Sequence, residues 1–284
     1  MTVSETSVQP LSHGGSSLSI YRDAPSWDNK RTAALGKLKI GSVADGVELF
    51  LLAAATLRAE GFEALLGPME GDTWHSYRAV TESDGSPAFL MEPTSGDHDV
   101  AALGEAGFDQ IDHYVSMRVA TKNAIGTEPE NPDGIDVVNW DGESPEAFFG
   151  EVYDFSVSGF AANAYYKPIT REAFLGLYMP YVPFLRRELI FFARAPGNRL
   201  AGFLFGIPDY SQGPDTKTAI LKTYASGQRG VGHLLADAFH RKALETGFDT
   251  VIHALMHADN VSRERSRMHG AEVFRRYTLF GRVL

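Results

Sequence analysis

The stretch Ser226-Gly227-Gln228-Arg229-Gly230-Val231-Gly232 joins an apolar strand that starts at Ile220 to a long amphipathic helix. A loop of this kind opens a helix onto an anion. Glycine has no Cβ, so the backbone approaches a phosphate closely, and the free N–H groups of the first helical turn, at the positive end of the dipole, bind the negative charge. The residues downstream narrow the choice: a strand Val251-Ile252-His253-Ala254-Leu255-Met256-His257, then Asn260, a short helix ending near Gly270, and closing strands through Arg275-Arg276-Tyr277 and Leu279-Phe280. A dinucleotide-binding unit requires Gly-x-Gly-x-x-Gly with an acidic residue after the next strand, and a Walker loop requires Gly-Lys-Ser/Thr. Neither is present.

This order of elements resembles the coenzyme half of the GNAT acyltransferase superfamily, whose loop reads Arg/Gln-x-x-Gly-x-Gly/Ala and holds the pyrophosphate of coenzyme A. Gly230 and Gly232 fall on the two small positions, with Arg229 before them and Val231 between; Gly227 stands where Arg or Gln is expected, and Gln228 is one residue late. Most of such a cradle is backbone, so the departure removes one side-chain contact. Taken alone, the loop reads as an ordinary Gly-rich strand-to-helix connection; the downstream order puts the family resemblance ahead. The resemblance extends to bacterial two-lobed GNAT proteins through Gly67-Pro68-Met69, Thr73-Trp74, Tyr77-Arg78, Phe89-Leu90-Met91-Glu92-Pro93, Gly202-Phe203 and Ile207-Pro208-Asp209-Tyr210, and through His253 and His257 with Asn260, Ser262, Ser266 and Gly270. It covers most of the chain from about Lys37 onward.

An internal repeat organises the chain. At a spacing of 186 residues Gly46 pairs with Gly232, Leu49 with Leu235, and Gly61-Phe62 with Gly247-Phe248. Gly107 pairs with Gly270 and Tyr114 with Tyr277 at a spacing of 163, so the first copy carries 23 more residues between these blocks. The copies are unequal: Ala44 replaces Gly230, and Asp45 at the helix start serves as a cap while repelling a pyrophosphate. Only forty residues precede that loop at Gly41, fewer than a complete lobe requires. The resemblance therefore implies an α+β, three-layer α/β/α tandem GNAT fold with a truncated, degenerate N-terminal lobe and a complete C-terminal lobe. The expected divisions are a flexible arm over 1–18, a degenerate lobe over 19–120, a linker over 121–134 containing Pro129 and Pro132, and a coenzyme-A-binding lobe over 135–284. In the second lobe, Ser144 and Pro145 start a helix, Thr170 starts another, and 189–193 with 200–207 read as a β-hairpin.

Composition sets limits. With 284 residues, 44% of them hydrophobic, the chain can bury a substantial core. No run approaches the length of a membrane helix, and residues 1–18 lack the pattern of a signal peptide, so a cytoplasmic chain is expected. There are no cysteines, which excludes disulfides, thiolate metal sites and a cysteine acyl-enzyme. A net charge of −10 with no basic stripe argues against nucleic acid as a partner. The oligomeric state is not legible.

The resemblance implies acetyl-CoA as cosubstrate, with Thr223, Tyr224 and Ala225 presenting backbone to the thioester and pantetheine, and Gln228, Arg229, Gly230, Val231 and Gly232 around the phosphates. Asn260 bridges the pantetheine or merely caps a helix. The superfamily's thiol-protonating tyrosine is replaced by Ser266, so the proton comes from Tyr277, a histidine or water. His253 and His257 share a strand face with Leu255 and are candidate bases titrating near neutrality, or else core and strand-end histidines. They have no third partner for a metal. Asn163, Tyr165, Tyr178 and Tyr181 are candidates for the acceptor pocket, and Trp74, Tyr77, Arg78 and Glu92 for a cleft between lobes, although aromatics are more often core. The expected activity is acyl-CoA-dependent N-acyl transfer, most simply acetyl, to a small amine by direct transfer. A non-catalytic acyl-CoA-binding protein is the alternative.

Overall fold

The computed structural model describes residues 8–131, 134–161, 163–259 and 261–284. Pro132, Asp133, Ala162 and Asn260, with the side chains of Val261, Ser262 and Arg265, lie outside the described residues. The first half runs β1 (Val8–His13), β2 (Ser16–Tyr21), β3 (Thr32–Lys39), α1 (Val43–Ala59), β4 (Ala64–Gly67), β5 (Ala79–Ser83), α2 (Asp99–Glu105) and β6 (Asp109–Ala120). After a helical turn, α3 (Thr121–Ala124), the second half runs β7 (Asp136–Asn139), α4 (Pro145–Gly159), α5 (Arg171–Tyr178), β8 (Ile190–Ala195), β9 (Arg199–Pro208) and β10 (Thr218–Ser226). It closes with α6 (Val231–Glu245), β11 (Thr250–His257), α7 (Val261–Met268) and β12 (Glu272–Val283).

All strands join one sheet, ordered β1-β2-β3-β4-β12-β6-β11-β10-β9-β8-β7, with β5 pairing β12 off this path. The repeat is thus a repeat of elements. Gly61 and Gly247 both take positive φ (+80° and +89°), as do Gly107 and Gly270 (+78° each), because each ends a helix in a turn that a side chain disfavours. Leu49 and Leu235 are buried in equivalent helices. Tyr114 lies directly opposite Tyr277 in the antiparallel β6–β12 pair, so a local two-fold axis relates the halves at that point.

The halves exchange their last strands. β3 pairs parallel with β4 and β10 with β11, but the other neighbour of β4 is β12 and that of β11 is β6. Each half thereby covers the backbone edge that the other would leave unpaired. Period-two burial divides the second half into two faces: Phe191, Ala193, Leu204 and Leu221 pack on α6, while Ile190, Phe192 and Phe203 pack with Phe148, Phe149 and Val152 of α4. These are two helical layers about one sheet.

Three local expectations change. The arm expected over 1–18 is a β-hairpin from Val8 onward, and in β2 Leu18 and Ile20 are buried at alternate positions; the abundance of Ser hid that alternation. The first half therefore does have strands before its loop. Ser42, not Asp45, caps α1, its Oγ accepting the Asp45 N–H at 3.2 Å. Ser144 takes φ +46° and makes no side-chain cap, whereas Thr170 caps α5 through the Ala173 N–H at 3.1 Å.

No helix among the described residues is long and apolar enough to cross a membrane. Because β6 and β12 belong to both halves, the chain is expected to unfold in a single calorimetric transition. Two well-separated transitions would show that the halves are independent units.

Candidate functional site

The parallel pairing of β10 and β11 stops after Leu221–His253. Beyond it β10 continues with β9 past a bulge at Leu221/Thr223, and β11 continues with β6 past a bulge between His253 and Met256. Leu255 sits in that bulge at φ +57°, a region few side chains adopt. Its N–H donates to Ser116 Oγ (3.0 Å) and its carbonyl accepts from Arg78 Nη1 (3.2 Å), so contacts on both sides hold the strained backbone. The strands part as a wedge, and a cavity of about 1110 Å³ runs through it.

On the α6 and α7 side the wall includes Gly232, His240, His253 and Ser266. Gly230 takes φ +90°, and among the described residues no side chain caps α6. A Cβ on Gly232 would stand 3.2 Å from the Tyr224 ring and 3.3 Å from Ser226 Oγ, which explains the glycine. The His233 N–H turns back to Gly230 O at 2.9 Å, and the N–H groups before it are left to a ligand or water rather than to a capping side chain. Ser266 Oγ is 2.7 Å from His253 Nδ1, and His253 Nε2 is 2.9 Å from His240 Nε2, a buried line of three proton-bearing groups. Burial lowers His253 to about pKa 4 and, with the neighbouring histidines, holds His240 well below its ordinary value. His253 is thus neutral at physiological pH and does not titrate near neutrality as expected.

On the opposite side the cavity is lined by Trp74, Tyr77, Arg78, Tyr178, Tyr181 and Lys222, among others. Trp74 donates Nε1–H to Lys167 O (2.9 Å) and packs edge-on against Phe174, so the first half inserts an indole into the second half's aromatic cluster. Tyr178 stacks on Phe149, and burial pushes its hydroxyl up to about pKa 12. His257 Nε2 lies 2.6 Å from Asp112 Oδ1, whose other oxygen accepts from Tyr114 Oη at 2.6 Å; His257 Nδ1 accepts the Asp259 N–H at 3.2 Å.

The structure gathers Asn163, Thr223, Tyr224, Gly232, His253, His257 and Ser266 on this cavity. Others of the expected residues lie elsewhere. Tyr277 is fully buried; its hydroxyl donates to Glu92 Oε1 (2.5 Å) and lies 3.0 Å from Ser116 Oγ, and burial raises its pKa, so it has no access to a leaving group. Glu92 reaches the wall, but Oε1 is engaged by Tyr277 and by Arg275 Nε (2.8 Å) and Oε2 by the Phe89 N–H (3.1 Å). Tyr165 packs against the first-half cluster of Ala34, Leu66 and Met69. Ala225 and Val231 are core residues, and Arg229 is exposed on the loop outside the cavity wall, as Gln228 and Gly230 are outside it. Asn260 lies outside the described residues. Sequence reasoning missed Lys222, His240 and Asp112. A lysine inside the apolar run of β10 was a visible signal; the other two look like ordinary core and strand-end residues until β11 and β6 are paired.

The equivalent site in the first half is filled by the chain. Asp45 Oδ2 accepts from Ser42 Oγ (3.0 Å) and from Gly15 N–H (3.4 Å), so a carboxylate stands at the loop. The Met69 N–H donates to Leu35 O at 2.8 Å, and a Cβ on Gly36 would meet Met69 O at 2.6 Å. That wedge is closed by backbone.

No protein-family model and no curated protein matches the chain. Solved structures do. A GCN5-related N-acetyltransferase from Sphaerobacter thermophilus superposes with TM-score 0.57 at 13% identity, covering 95% of this chain and 76% of that one. A tandem GNAT protein from the clavulanic acid biosynthesis pathway gives 0.55 at 15% identity, covering 94% and 78%. The fold is that of the tandem GNAT proteins. A probable N-acyltransferase from Enterococcus faecalis V583 gives 0.56 at 10% identity, covering 95% of this chain and 59% of that one. At such identities the GNAT likeness concerns the fold alone.

The neutral His253 has a consequence for stability. Unfolded, the ring protonates near its ordinary 6.5; folded, near about 4. The unfolded state therefore binds more protons in that window, and the contribution is complete above it and lost as pH falls through it. The melting temperature should drop over that range, and His253→Gln should make the drop shallower. A ring titration followed by NMR with its midpoint near 6.5 would contradict the burial argument.

Proposed function

We propose that the chain is an acyl-CoA-dependent N-acyltransferase, most simply an acetyltransferase, acting on a small amine by direct transfer in a ternary complex. The observation that carries this reading is the parting of β10 from β11, which opens one cavity from Gly232 in the first turn of α6, next to the glycine loop, to an aromatic chamber on the other side. The residues fit coenzyme A. Gly232 leaves space that a Cβ would fill, and the backbone from Gln228 to Gly232 would hold the pyrophosphate, with the freed edge of Thr223, Tyr224 and Ala225 facing the pantetheine. Asn260 is a further candidate contact. When bound, the coenzyme supplies an acyl group activated as a thioester.

The chain's own residues orient and move protons. Backbone N–H groups past the β10 bulge are candidate donors to a developing oxyanion. Asp112 fixes His257 with hydrogen on Nε2, which makes Nδ1 the ring's proton-accepting atom; the Asp259 N–H that donates to it at 3.2 Å gives way before it takes a proton. Ser266, a poor acid alone, is held in place by His253 Nδ1, itself held by His240, and the proton that the leaving thiolate takes up is the one the attacking amine gives up.

Calorimetry should find one coenzyme A site per chain, and Gly232→Asp should abolish binding by placing a side chain and a negative charge in the phosphate path. Acetyl-CoA with a panel of amines should release free thiol without a burst of acylated protein. Two equivalent sites would contradict the blocked first half. Binding without thiol release for any amine would favour the acyl-CoA-binding reading.

A further inference from the structure

Arg78 is 6% exposed, yet among the described residues it makes no ion pair. Its guanidinium carbon lies 3.9 Å from the Tyr77 centroid and 3.8 Å from that of Tyr114, two mutually perpendicular rings that meet it from directions roughly at right angles. Nη1 donates to Leu255 O, and buried Nε has no partner. The rings stabilise the cation without neutralising it, and they accept none of its N–H groups, the donors with which a guanidinium recognises a carboxylate. A buried cation without a counter-ion is costly, and Arg78 is part of the cavity wall.

A second cation lines the same chamber. Lys222 Nζ donates to Met91 O at 3.1 Å, which leaves ammonium hydrogens unused. Glu92 does not neutralise either cation by contact, since Arg275, Tyr277 and the Phe89 N–H engage both its oxygens. Burial, and then the charge of Arg78, lower Lys222 to about pKa 8, as expected for two cations sharing one desolvated chamber.

We infer that Arg78 and Lys222 form an anion subsite for a carboxylate of the acceptor, so that the amine acylated is an amino acid or a similar small amino carboxylate. Tyr178 and Tyr181 offer apolar surface to the rest of that molecule. This deepens the acyl-transfer reading and rests on it for the word acceptor; the subsite itself is a binding claim.

The test is calorimetric titration of the full chain, with and without saturating coenzyme A, using the common α-amino acids, their carboxamides and their decarboxylated amines. At least one acid should bind about tenfold or more tightly than its amide, the scale of a charge-assisted hydrogen bond. Arg78→Gln and Lys222→Gln should each bring the acid's affinity towards the amide's, and Lys222→Gln should do so while leaving coenzyme A affinity unchanged. If Arg78→Gln fails to fold by circular dichroism, the partly exposed Lys222→Gln decides. The subsite is overturned if no acid exceeds its amide, or if the folded variants keep the discrimination. Thiol release with neutral amines only would remove the subsite and leave acyl transfer standing; carboxylate-selective binding without thiol release would do the reverse.

Discussion

Each half of this chain ends its parallel strand pair with an open backbone edge, and the other half supplies the strand that covers it. Unpaired N–H and C=O groups buried between β4 and β11 would be costly, so β12 and β6 are required where they lie. Their direct pairing at Tyr114 and Tyr277 then fixes the distance between the halves. The segment connecting β4 to α2, which includes the extra residues of the first copy, is consequently carried across the second half. It delivers Trp74, Tyr77, Arg78 and Glu92 to the wall of the second half's cavity.

The same topology gives opposite outcomes in the two wedges. In the first half the chain turns back after β4, Met69 hydrogen-bonds to Leu35, and Asp45 occupies the loop with the β1–β2 turn against it. In the second half two bulges carry β10 and β11 apart towards different neighbours. Backbone that is unpaired by one parallel neighbour is available to something else. Only the second wedge has such backbone beside a glycine loop free of acidic side chains.

A buried polar network locks this opening. Glu92 from the insertion, Tyr277 and Arg275 from β12, and Ser116 from β6 are linked by hydrogen bonds, and Ser116 reaches the N–H of strained Leu255. Removing one member leaves its partners buried and unsatisfied, which is costlier than the net worth of any single bond. Tyr277, one of the candidate proton donors read from the sequence, is therefore a strut. Its place at the symmetry point makes it central to the sheet and inaccessible to a substrate.

The sequence by itself determined the second half's order of elements, the glycine loop and the repeat, because helix stops, glycine conformation and apolar periodicity are local properties. Gly61, Gly107, Gly247 and Gly270 all occupy the turns that their spacing implied. It also distinguished Asp45 from the glycine-rich copy, since charge is written in residue type. Tertiary structure alone decided the exchange of β6 and β12, because strand partners are chosen by edges far apart in the chain. That choice buried Tyr277, tied His257 to Asp112, set His253 between His240 and Ser266, and left Arg78 facing a cavity with no counter-ion among the described residues. A histidine's charge and an arginine's partner depend on desolvation and distance, which exist only after the sheet has closed.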